Sequence, residues 1–360
     1  VLGRILTQGS RRHLTSWKEG EAIEEVLGLK SFDEDDLYQT LDWLETNQAK
    51  MEEKWFRLRF KGQKVDLFLY DVTSSYLEGK LNELAQYGYN RDGKKGKKQI
   101  VIGLLTTKAG APIAVEVFPG NTADVTTVPA QIEKMAQRFG VSNVTLVGDK
   151  GMIKKIPIEQ LRARDWHYIT SITKPQIEGL IRENVFQLGL FEEKLVEIVD
   201  DGVRYLLRRN PQRAQEMEKN RQERIGKVQH LCNELNEKLR TKPKASLESA
   251  YKKLNEKISR FKLGSILTLQ KQARGLDLTT DAAALKESSQ LDGCYVIKTD
   301  QEEMSGQEVH ETYKGLAQVE WAFRTMKTGL LEIRPLYHRK ASRTRGCALV
   351  AMLAYSITHH

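Results

Sequence analysis

Cysteine and long apolar runs are scarce in this sequence of 360 residues. Its three cysteines, Cys232, Cys294 and Cys347, lie far apart and form no C-x-x-C pair, which excludes a disulfide framework and a cysteine zinc site. This usage predicts a reducing cytoplasm. The longest apolar stretch, residues 347–357, is shorter than the roughly 20 residues that cross a bilayer, so we expect a core helix there and no membrane partner.

The marks of a targeting segment are also lacking. The chain starts at Val1 rather than Met, and its first residues contain no apolar run of the kind found in signal peptides. We therefore expect a truncated natural start, and either a second truncation or a tag remnant at His359-His360. A chain of this length is expected to form two or three structural units.

Acidic residues are fewer than basic residues. The sequence has 57 Lys and Arg against 48 Asp and Glu, a net charge of +9, which favours nucleic acid as partner, with a membrane surface as the second candidate. Between Arg204 and Arg274, about 19 cations stand against about 7 glutamates and no Asp. This segment is interpreted either as a solvated helical hairpin or as a basic insertion against a phosphate backbone. It lacks the broad apolar face of a membrane-surface helix.

Hydrophobic periodicity divides the chain into regions. Residues 1–62 are predicted to form an N-terminal helical region, in which Ser31 is a candidate N-cap. From Val65 the pattern predicts three successive strands, then helix, strand, helix and strand. That order is typical of the ribonuclease H-like fold, which has a mixed α/β sheet.

The predicted architecture is therefore an α/β ribonuclease H-like mixed sheet with a basic insertion between the fifth strand and a late, catalytic helix. We expect the first part of the core at 63–175, the insertion of hairpin plus helices at 176–290, and the second part of the core at 291–360. The insertion should open with a hairpin that turns at Asp201-Gly202 and continue into two helical segments, the second over residues 247–274.

The late helix is predicted to begin near Ser305, because Ser305 and Glu308 have the spacing of a capping box. Tyr313, Glu320 and Lys327 are seven residues apart, two turns each, and should share one face. An apolar stripe is expected to anchor the helix on a core: Leu316, Val319, Phe323, Met326 and Leu330.

Three carboxylates stand where such a fold would bring them together. Asp71 lies within the first strand, Asp149 comes directly after the fourth strand, and Glu320 is on the late helix. Two-metal phosphoryl transfer needs clustered carboxylates, because Mg²⁺ prefers oxygen ligands. Aspartate beside Gly148 is also ordinary turn chemistry, so this position alone does not decide between a turn and a metal ligand.

These motifs resemble those of the DDE transposases of bacterial insertion sequences, in the insertion-sequence family four group with its Y-x2-R-x3-E-x6-K signature. The segments "YDVTSSYLEG", "PGNTAD" and "GDKGM" follow in the order of that family, and Tyr313, Glu320 and Lys327 match the signature. Leu316 departs from it, since the family usually has Arg there. Arg324 is a candidate substitute, or else the partner of Glu320 in a surface ion pair.

The resemblance implies that Asp71, Asp149 and Glu320 are catalytic and bind Mg²⁺, with Mn²⁺ as the alternative ion. The implied reaction is DNA strand cleavage and strand transfer of an insertion sequence. Two other readings stay open: a ribonuclease H-like DNA nuclease or resolvase without transposition, and a DNA-binding relative that has lost catalysis.

DNA, as transposon ends and target, is the implied partner, and we expect a homodimer on it. The signature implies strand-end contacts by Tyr313, Lys327 and, as substitute, Arg324. The cation excess of the basic segment adds three candidate phosphate contacts: Lys252, Lys253 and Lys257.

Overall fold

The structure is a computed structural model, which describes residues 1–7, 9–328, 331 and 333–359. The chain divides into two compact units. The core unit comprises Val1–Ser171, Gly202–Arg204 and Ile297–His360, and the insertion unit comprises Ile172–Asp201 and Tyr205–Val296.

The chain begins with four helices. They are α1 (Leu2–Leu6), α2 (Arg11–Lys18), α3 (Ile23–Val26) and α4 (Glu34–Arg59). The prediction of Ser31 as N-cap is wrong, because Asp33 caps α4 in a reciprocal capping box with Asp36. The Ser31 hydroxyl instead accepts a hydrogen bond from Lys18 Nζ at 2.9 Å. A carboxylate at this position also complements the helix dipole, which a hydroxyl cannot do.

The core unit is built on a mixed sheet with helices between its later strands. Its elements up to residue 171 are β1 (Leu67–Tyr76), β2 (Gln99–Thr107), β3 (Pro112–Pro119), α5 (Asp124–Gln137), β4 (Thr145–Val147), α6 (Lys155–Arg162) and β5 (His167–Ser171). The strand order is β3-β2-β1-β4-β5, in which β1, β2 and β3 are antiparallel while β4 and β5 run parallel to β1. This confirms the predicted ribonuclease H-like arrangement.

Apolar side chains from both faces of the sheet form the main core. Every residue of β2 is buried, which explains why its sequence is nearly continuously apolar rather than alternating. Phe68, Leu105 and Leu146 pack with the buried faces of α5 and α6. Burial of each such side chain stabilises the fold by about 1.5–3 kcal/mol, and this holds β1 and β4 at fixed positions.

The insertion unit combines helices with strand pairs. Its elements are α7 (Lys174–Arg182), β6 (Val196–Asp200), β7 (Val203–Arg209), α8 (Pro211–Thr241), α9 (Leu247–Phe261), β8 (Leu267–Gln272), β9 (Gly275–Thr280), α10 (Ala282–Ser289) and the start of β10 (Cys294–Thr299). The predicted turn at Asp201-Gly202 is confirmed, with φ of 45° and 69° as a tight hairpin turn requires. Apolar residues of α8, α9 and β8 form a separate core, including Val228, Leu254 and Leu267.

One prediction within this unit is wrong. The sequence pattern placed residues 247–274 in a single helix, whereas α9 ends at Phe261 and the antiparallel pair β8-β9 follows. Lys262 has the left-handed φ of 58°, which ends the helix, and Gly264 lies in the turn that leads to β8. The sequence pattern missed this stop because no glycine or proline occupies the cap position itself.

The chain ends in three helices of the core unit: α11 (Gly306–Lys314), α12 (Leu316–Lys327) and α13 (Ala341–Thr358). The Ser305–Glu308 capping box is confirmed. The predicted single helix is interrupted at Gly315, between α11 and α12. Val319, Phe323 and Met326 are buried as predicted, Leu316 is half-buried, and Leu330 lies outside the described residues.

The last two helices complete the core unit. α12 packs against β1, while α13 packs against α4 and β3. α13 is the predicted apolar core helix, and Leu349 and Met352 within it are fully buried. Over the residues that the structure describes, no helix is long and apolar enough to cross a membrane.

Candidate active site

Asp71 lies in the middle of β1, opposite Leu104 of β2, and is half-buried. The pKa of this carboxyl is raised to about 7, chiefly by burial and in addition by the negative charges of Glu320 and Asp149. The backbone N–H of Val72 and the positive charge of Arg91 act in the opposite direction. Three carboxylates that are far apart in sequence therefore act on one another in the folded core unit.

Asp149 follows β4 and is exposed at the point where the strand ends. Its Oδ1 accepts the N–H of Lys150 at 2.7 Å, and its carbonyl oxygen accepts the N–H of Met152 at 2.9 Å. The residue thus makes the hydrogen bonds of a turn aspartate and also lies near Asp71. A Cβ at Gly148 would lie 3.0 Å from side-chain atoms of Ile153, so glycine permits this tight turn.

Glu320 reaches the same region from α12. Its side chain is exposed, whereas Val319 and Phe323 on the other side of the helix are buried. Because α12 packs directly on β1, its position in the fold brings Glu320 toward Asp71. Burial is the main cause of the raised pKa of Asp71, and the negative charge of Glu320 contributes to it.

The candidate metal ligands of this site are its three carboxylates. Within the described ranges, no three acidic, histidine or cysteine side chains already form a coordination shell. Asp71, Asp149 and Glu320 nevertheless supply the carboxylate oxygens that Mg²⁺ and Mn²⁺ prefer, and their mutual repulsion would be relieved by a cation. The chemistry of the three residues fits a divalent ion, and the side chains must draw closer to share one.

Tyr313 lies beside these carboxylates at the end of α11. Its Oη donates a hydrogen bond to Ser171 Oγ at 2.7 Å, which links α11 to the end of β5. Burial raises the pKa of the phenol to about 12, and the charges of Asp149, Asp71 and Glu320 contribute to the increase. The hydroxyl therefore stays protonated over the physiological range and can donate a hydrogen bond.

Lys327 is buried and is not the exposed lysine of a surface helix. Its Nζ lies 2.9 Å from Asp92 Oδ1, and an Arg334 nitrogen lies 2.6 Å from the same oxygen. The other Asp92 oxygen accepts the N–H of Tyr76 at 3.1 Å. Burial lowers the pKa of Lys327, and the bond to Asp92 opposes that change. Contact of Lys327 with DNA stays a prediction.

Arg324 is exposed on α12, and its guanidinium lies 5.9 Å from the centre of the Trp321 ring. The Trp321 side chain itself is 57% exposed. Among the described ion pairs none joins Arg324 to Glu320, so the surface-pair interpretation is wrong. The cation is available at the surface next to the candidate site.

The three candidate lysines of the insertion unit lie on α9. Lys252 and Lys253 are exposed, while Lys257 is half-buried with its Nζ 4.6 Å from the centre of the Phe261 ring. The buried side of the same helix carries Leu254. Lys252 and Lys253 are thus directed toward solvent, while Lys257 borders the buried face of α9.

Sequence reasoning missed three charged residues around the carboxylates. Arg91 and Asp92 lie in the connection between β1 and β2, and an Arg91 nitrogen lies 2.5 Å from Asp124 Oδ1. Asp124 opens α5 and borders the loop of Asp149, since a Cβ on Gly151 would contact carboxylate oxygens of both. Asp124 belongs to the noted "PGNTAD" motif, but nothing in the turn-rich pattern of residues 87–96 indicated a role for Arg91 or Asp92.

A family model described as "Transposase DDE domain" matches residues 62–357. No match was found among curated protein sequences.

Two of the solved structures that are similar to this chain are transposase complexes. A cryo-EM structure of a piggyBac transposase synaptic complex with hairpin DNA has a TM-score of 0.46 and 7% identity, covering 99% of this chain and 63% of that chain. A Mos1 transposase paired-end complex with the left transposon end has a TM-score of 0.22 and 10% identity, covering 45% of this chain and 58% of that chain. The matched part is thus less than two thirds of either compared chain.

Proposed function

Because this chain belongs to the transposase DDE domain family, we propose that it is a metal-dependent DNA transposase with Asp71, Asp149 and Glu320 as its catalytic carboxylates. All three lie within the matched residues 62–357. The observation that carries the proposal is that Asp71 lies within β1, Asp149 follows β4, which pairs with β1, and Glu320 is on α12, which packs on β1. Such a cluster of negative charge in a half-buried site is costly unless it serves to bind a cation.

The three carboxylates would hold Mg²⁺ or Mn²⁺, which supplies an activated water and stabilises charge on the phosphoryl group. The fold of the protein fixes the positions of the three carboxylates. Asp71 is fixed by the hydrogen-bonded pairing of β1 with β2, Asp149 by its own turn, and Glu320 by the packing of α12 on β1. Two of the three carboxylates remain exposed, so a long substrate can reach them from solvent.

The proposed reaction is cleavage at a transposon end, followed by attack of the freed 3′-hydroxyl on a second phosphodiester. Tyr313 would exchange Ser171 Oγ for the strand end as the acceptor of its hydrogen bond, and exposed Arg324 would contact a phosphate. Lys327 would either exchange Asp92 for a phosphate oxygen or act through the Asp92 contact. The lysines of α9 would add phosphate contacts from the insertion unit.

The family group is also part of the proposal. Tyr313, Glu320 and Lys327 in their spacing favour the insertion-sequence family four group, and so a bacterial insertion sequence as the mobile DNA. We propose that the protein acts as a homodimer that pairs two transposon ends, because strand transfer joins both ends to one target.

The test uses the purified full chain and a plasmid that carries the DNA flanking its gene. With Mg²⁺ we expect nicking at the transposon ends and joining of those ends to target DNA, both lost in Asp71→Asn. The matched control is Asp165→Asn, an exposed position with a φ of 56° that asparagine adopts readily. Cleavage by Asp71→Asn at the wild-type rate would overturn the assignment, and nicking without joining would indicate a nuclease.

A further inference from the structure

A second charged site lies in the core unit, in a cavity of about 660 Å³. Its walls come from the start of α2, from α4, from the segment 333–340 and from α13. Six cationic side chains line it: Arg4, Arg11, Arg334, Arg339, Lys340 and Arg343.

Only part of this positive charge is matched by nearby carboxylates. Arg343 Nε lies 3.2 Å from Asp42 Oδ2, and Arg334 pairs with Asp92. For Arg11, Arg339 and Lys340, the described residues place no carboxylate within ion-pair distance. Cations that converge on a concave surface repel one another and concentrate a positive potential, which an anion would relieve.

The buried wall of the cavity contains Cys347, whose titration reflects that potential. Burial alone would raise the pKa of this thiol. The charge of Arg11, the hydrogen bond with His338 and the charges of His338 and Arg4 outweigh burial and lower the pKa well below its usual value. The cations around the cavity therefore favour the thiolate of Cys347 more than burial disfavours it.

We propose that this cavity binds the phosphate groups of a nucleotide chain, as a site separate from the catalytic carboxylates. Arginine guanidinium groups match the geometry of phosphate oxygens, and the cavity is larger than one phosphate requires. Tyr38 and Tyr337 also line it; Arg343 lies 4.5 Å from the Tyr38 ring centre, and Tyr337 is 70% exposed. These rings offer stacking surfaces for a sugar or base beside the phosphates.

The phosphate source favoured here is DNA, and in that respect the inference rests on the proposed transposase function. Arg334 of the cavity shares Asp92 with Lys327, the last residue of α12. That helix carries Glu320, so a strand cleaved at the carboxylates could continue past the end of α12 into the cavity. A free nucleotide or inorganic phosphate offers the same chemistry and is separated from DNA by the experiment.

The first experiment measures DNA affinity against salt for Arg11→Gln/Lys340→Gln. We expect the log-log slope to become shallower by up to about 1.8, since each lost phosphate contact contributes about 0.9. The control is Lys50→Gln/Lys61→Gln, which removes the same charge from exposed positions of the core unit. Equal slopes for the two double variants would overturn the proposal.

The second experiment uses the wild-type chain and does not depend on folding of a variant. The pKa values of Cys232 and Cys294 are raised while that of Cys347 is lowered, so in a pH titration the first thiolate absorbance to appear reports Cys347. A phosphate group in the cavity should raise the pKa of Cys347 and lower this absorbance, with no change in Cys347→Ser. The probes are duplex DNA, the dinucleotide pTpT and inorganic phosphate.

The three probes separate the outcomes. A decrease with duplex DNA and pTpT supports a nucleotide-chain site, and a decrease with duplex DNA alone supports one that needs a longer strand. A decrease with inorganic phosphate only, or with none of the probes, overturns it. Neither result depends on strand cleavage, so the cavity can fail while the carboxylate assignment stands, and the reverse.

Discussion

The core unit and the insertion unit use charge in different ways. In the core unit, Glu52 is fully buried with Lys134 and Arg138, and Asp92 is buried with Lys327. In the insertion unit most charged side chains of α8 and α9 are exposed around an apolar core, with the pair of Arg221 and Asp292 as a buried exception. The buried charges of the core unit therefore fix its geometry, while most charges of α8 and α9 lie at the surface, where a polyanion can reach them.

This contrast predicts that a change to a buried charge of the core unit acts on catalysis or folding, whereas a change to an exposed cation of the insertion unit acts on the salt dependence of DNA binding. Removing one partner of a buried ion pair lowers the stability of the folded protein, because the other ion is left without water or a counter-ion. Exposed ions already interact with water and salt, so their removal changes the folded state little.

The largest effect should come from the three carboxylates that we propose to be catalytic. Asp71→Ala, Asp149→Ala or Glu320→Ala should each reduce cleavage at least about 10²–10³-fold, because charge stabilisation at the phosphoryl group is lost. Binding of DNA and the unfolding midpoint should be retained, since removing one of three repelling carboxylates relieves repulsion. Cleavage assays and thermal unfolding check both parts. Full nicking by any one variant would remove that residue from the site.

The next effect concerns the Asp92 contacts. Asp92→Ala leaves Lys327 buried without its counter-ion and should lower the free energy of unfolding by about 3–5 kcal/mol. Asp92→Ala/Lys327→Met should recover part of that loss, because no buried charge remains at the lysine position. Denaturant unfolding of both variants is the measurement. If the single variant lost less than about 0.5 kcal/mol, Asp92 would be an ordinary surface carboxylate.

The same double variant examines the role of Lys327 at the DNA end. If its stability recovers but end cleavage remains low at saturating Mg²⁺, the lysine is needed for the strand end as well as for packing. The comparison should be made at two DNA concentrations. Wild-type cleavage at both would confine Lys327 to a structural role.

A smaller effect is expected from pH. The pKa of Asp71 in the folded protein, about 7, is above its ordinary value of 3.8, so the folded state holds a proton that the unfolded state has released. Without metal, stability from this group is present below about pH 4 and is lost as pH rises through 7. Adding Mg²⁺ should reverse the trend, because the ion binds the ionised carboxylate.

The measurement is the unfolding midpoint between pH 5 and 8, with and without Mg²⁺. Each kcal/mol corresponds to a shift of roughly 2–4 °C for domains of this size class. Asp71→Asn should abolish the part of the pH dependence that belongs to this residue. An unchanged profile in that variant would mean that Asp71 does not titrate near neutral pH.

The smallest effect on folding is expected in the insertion unit. Lys252→Gln/Lys253→Gln/Lys257→Gln should change the free energy of unfolding by no more than about 0.5 kcal/mol. It should nevertheless make the log-log salt slope of DNA binding shallower by up to about 0.9 for each lost contact. The control is again Lys50→Gln/Lys61→Gln. A slope equal to wild type would return α9 to the interpretation as a solvated helix.

Much of the fold could be predicted from the sequence, because a pattern of a few residues is enough to indicate each of these elements. The succession of strands and helices up to residue 171, the turn at Asp201-Gly202 and the Ser305–Glu308 cap depend on period and turn chemistry alone. The β8-β9 pair was missed, since its partner strands become evident only when α9 ends at Phe261. Helix ends without glycine or proline leave a weak local signal.

What the sequence by itself determined is the identity and order of the chemical groups: Asp71 on the first strand, Asp149 after the fourth strand, Glu320 on a late helix, and an excess of cations in the insertion. What only the tertiary structure decided is which charges meet. It buried Lys327 against Asp92, placed Arg91 beside Asp124, left Trp321 exposed, and gathered six cations from four separate segments around one cavity. The physical reason is that charge interactions fall with distance through space and with exposure to water, and neither quantity is contained in the spacing along the chain.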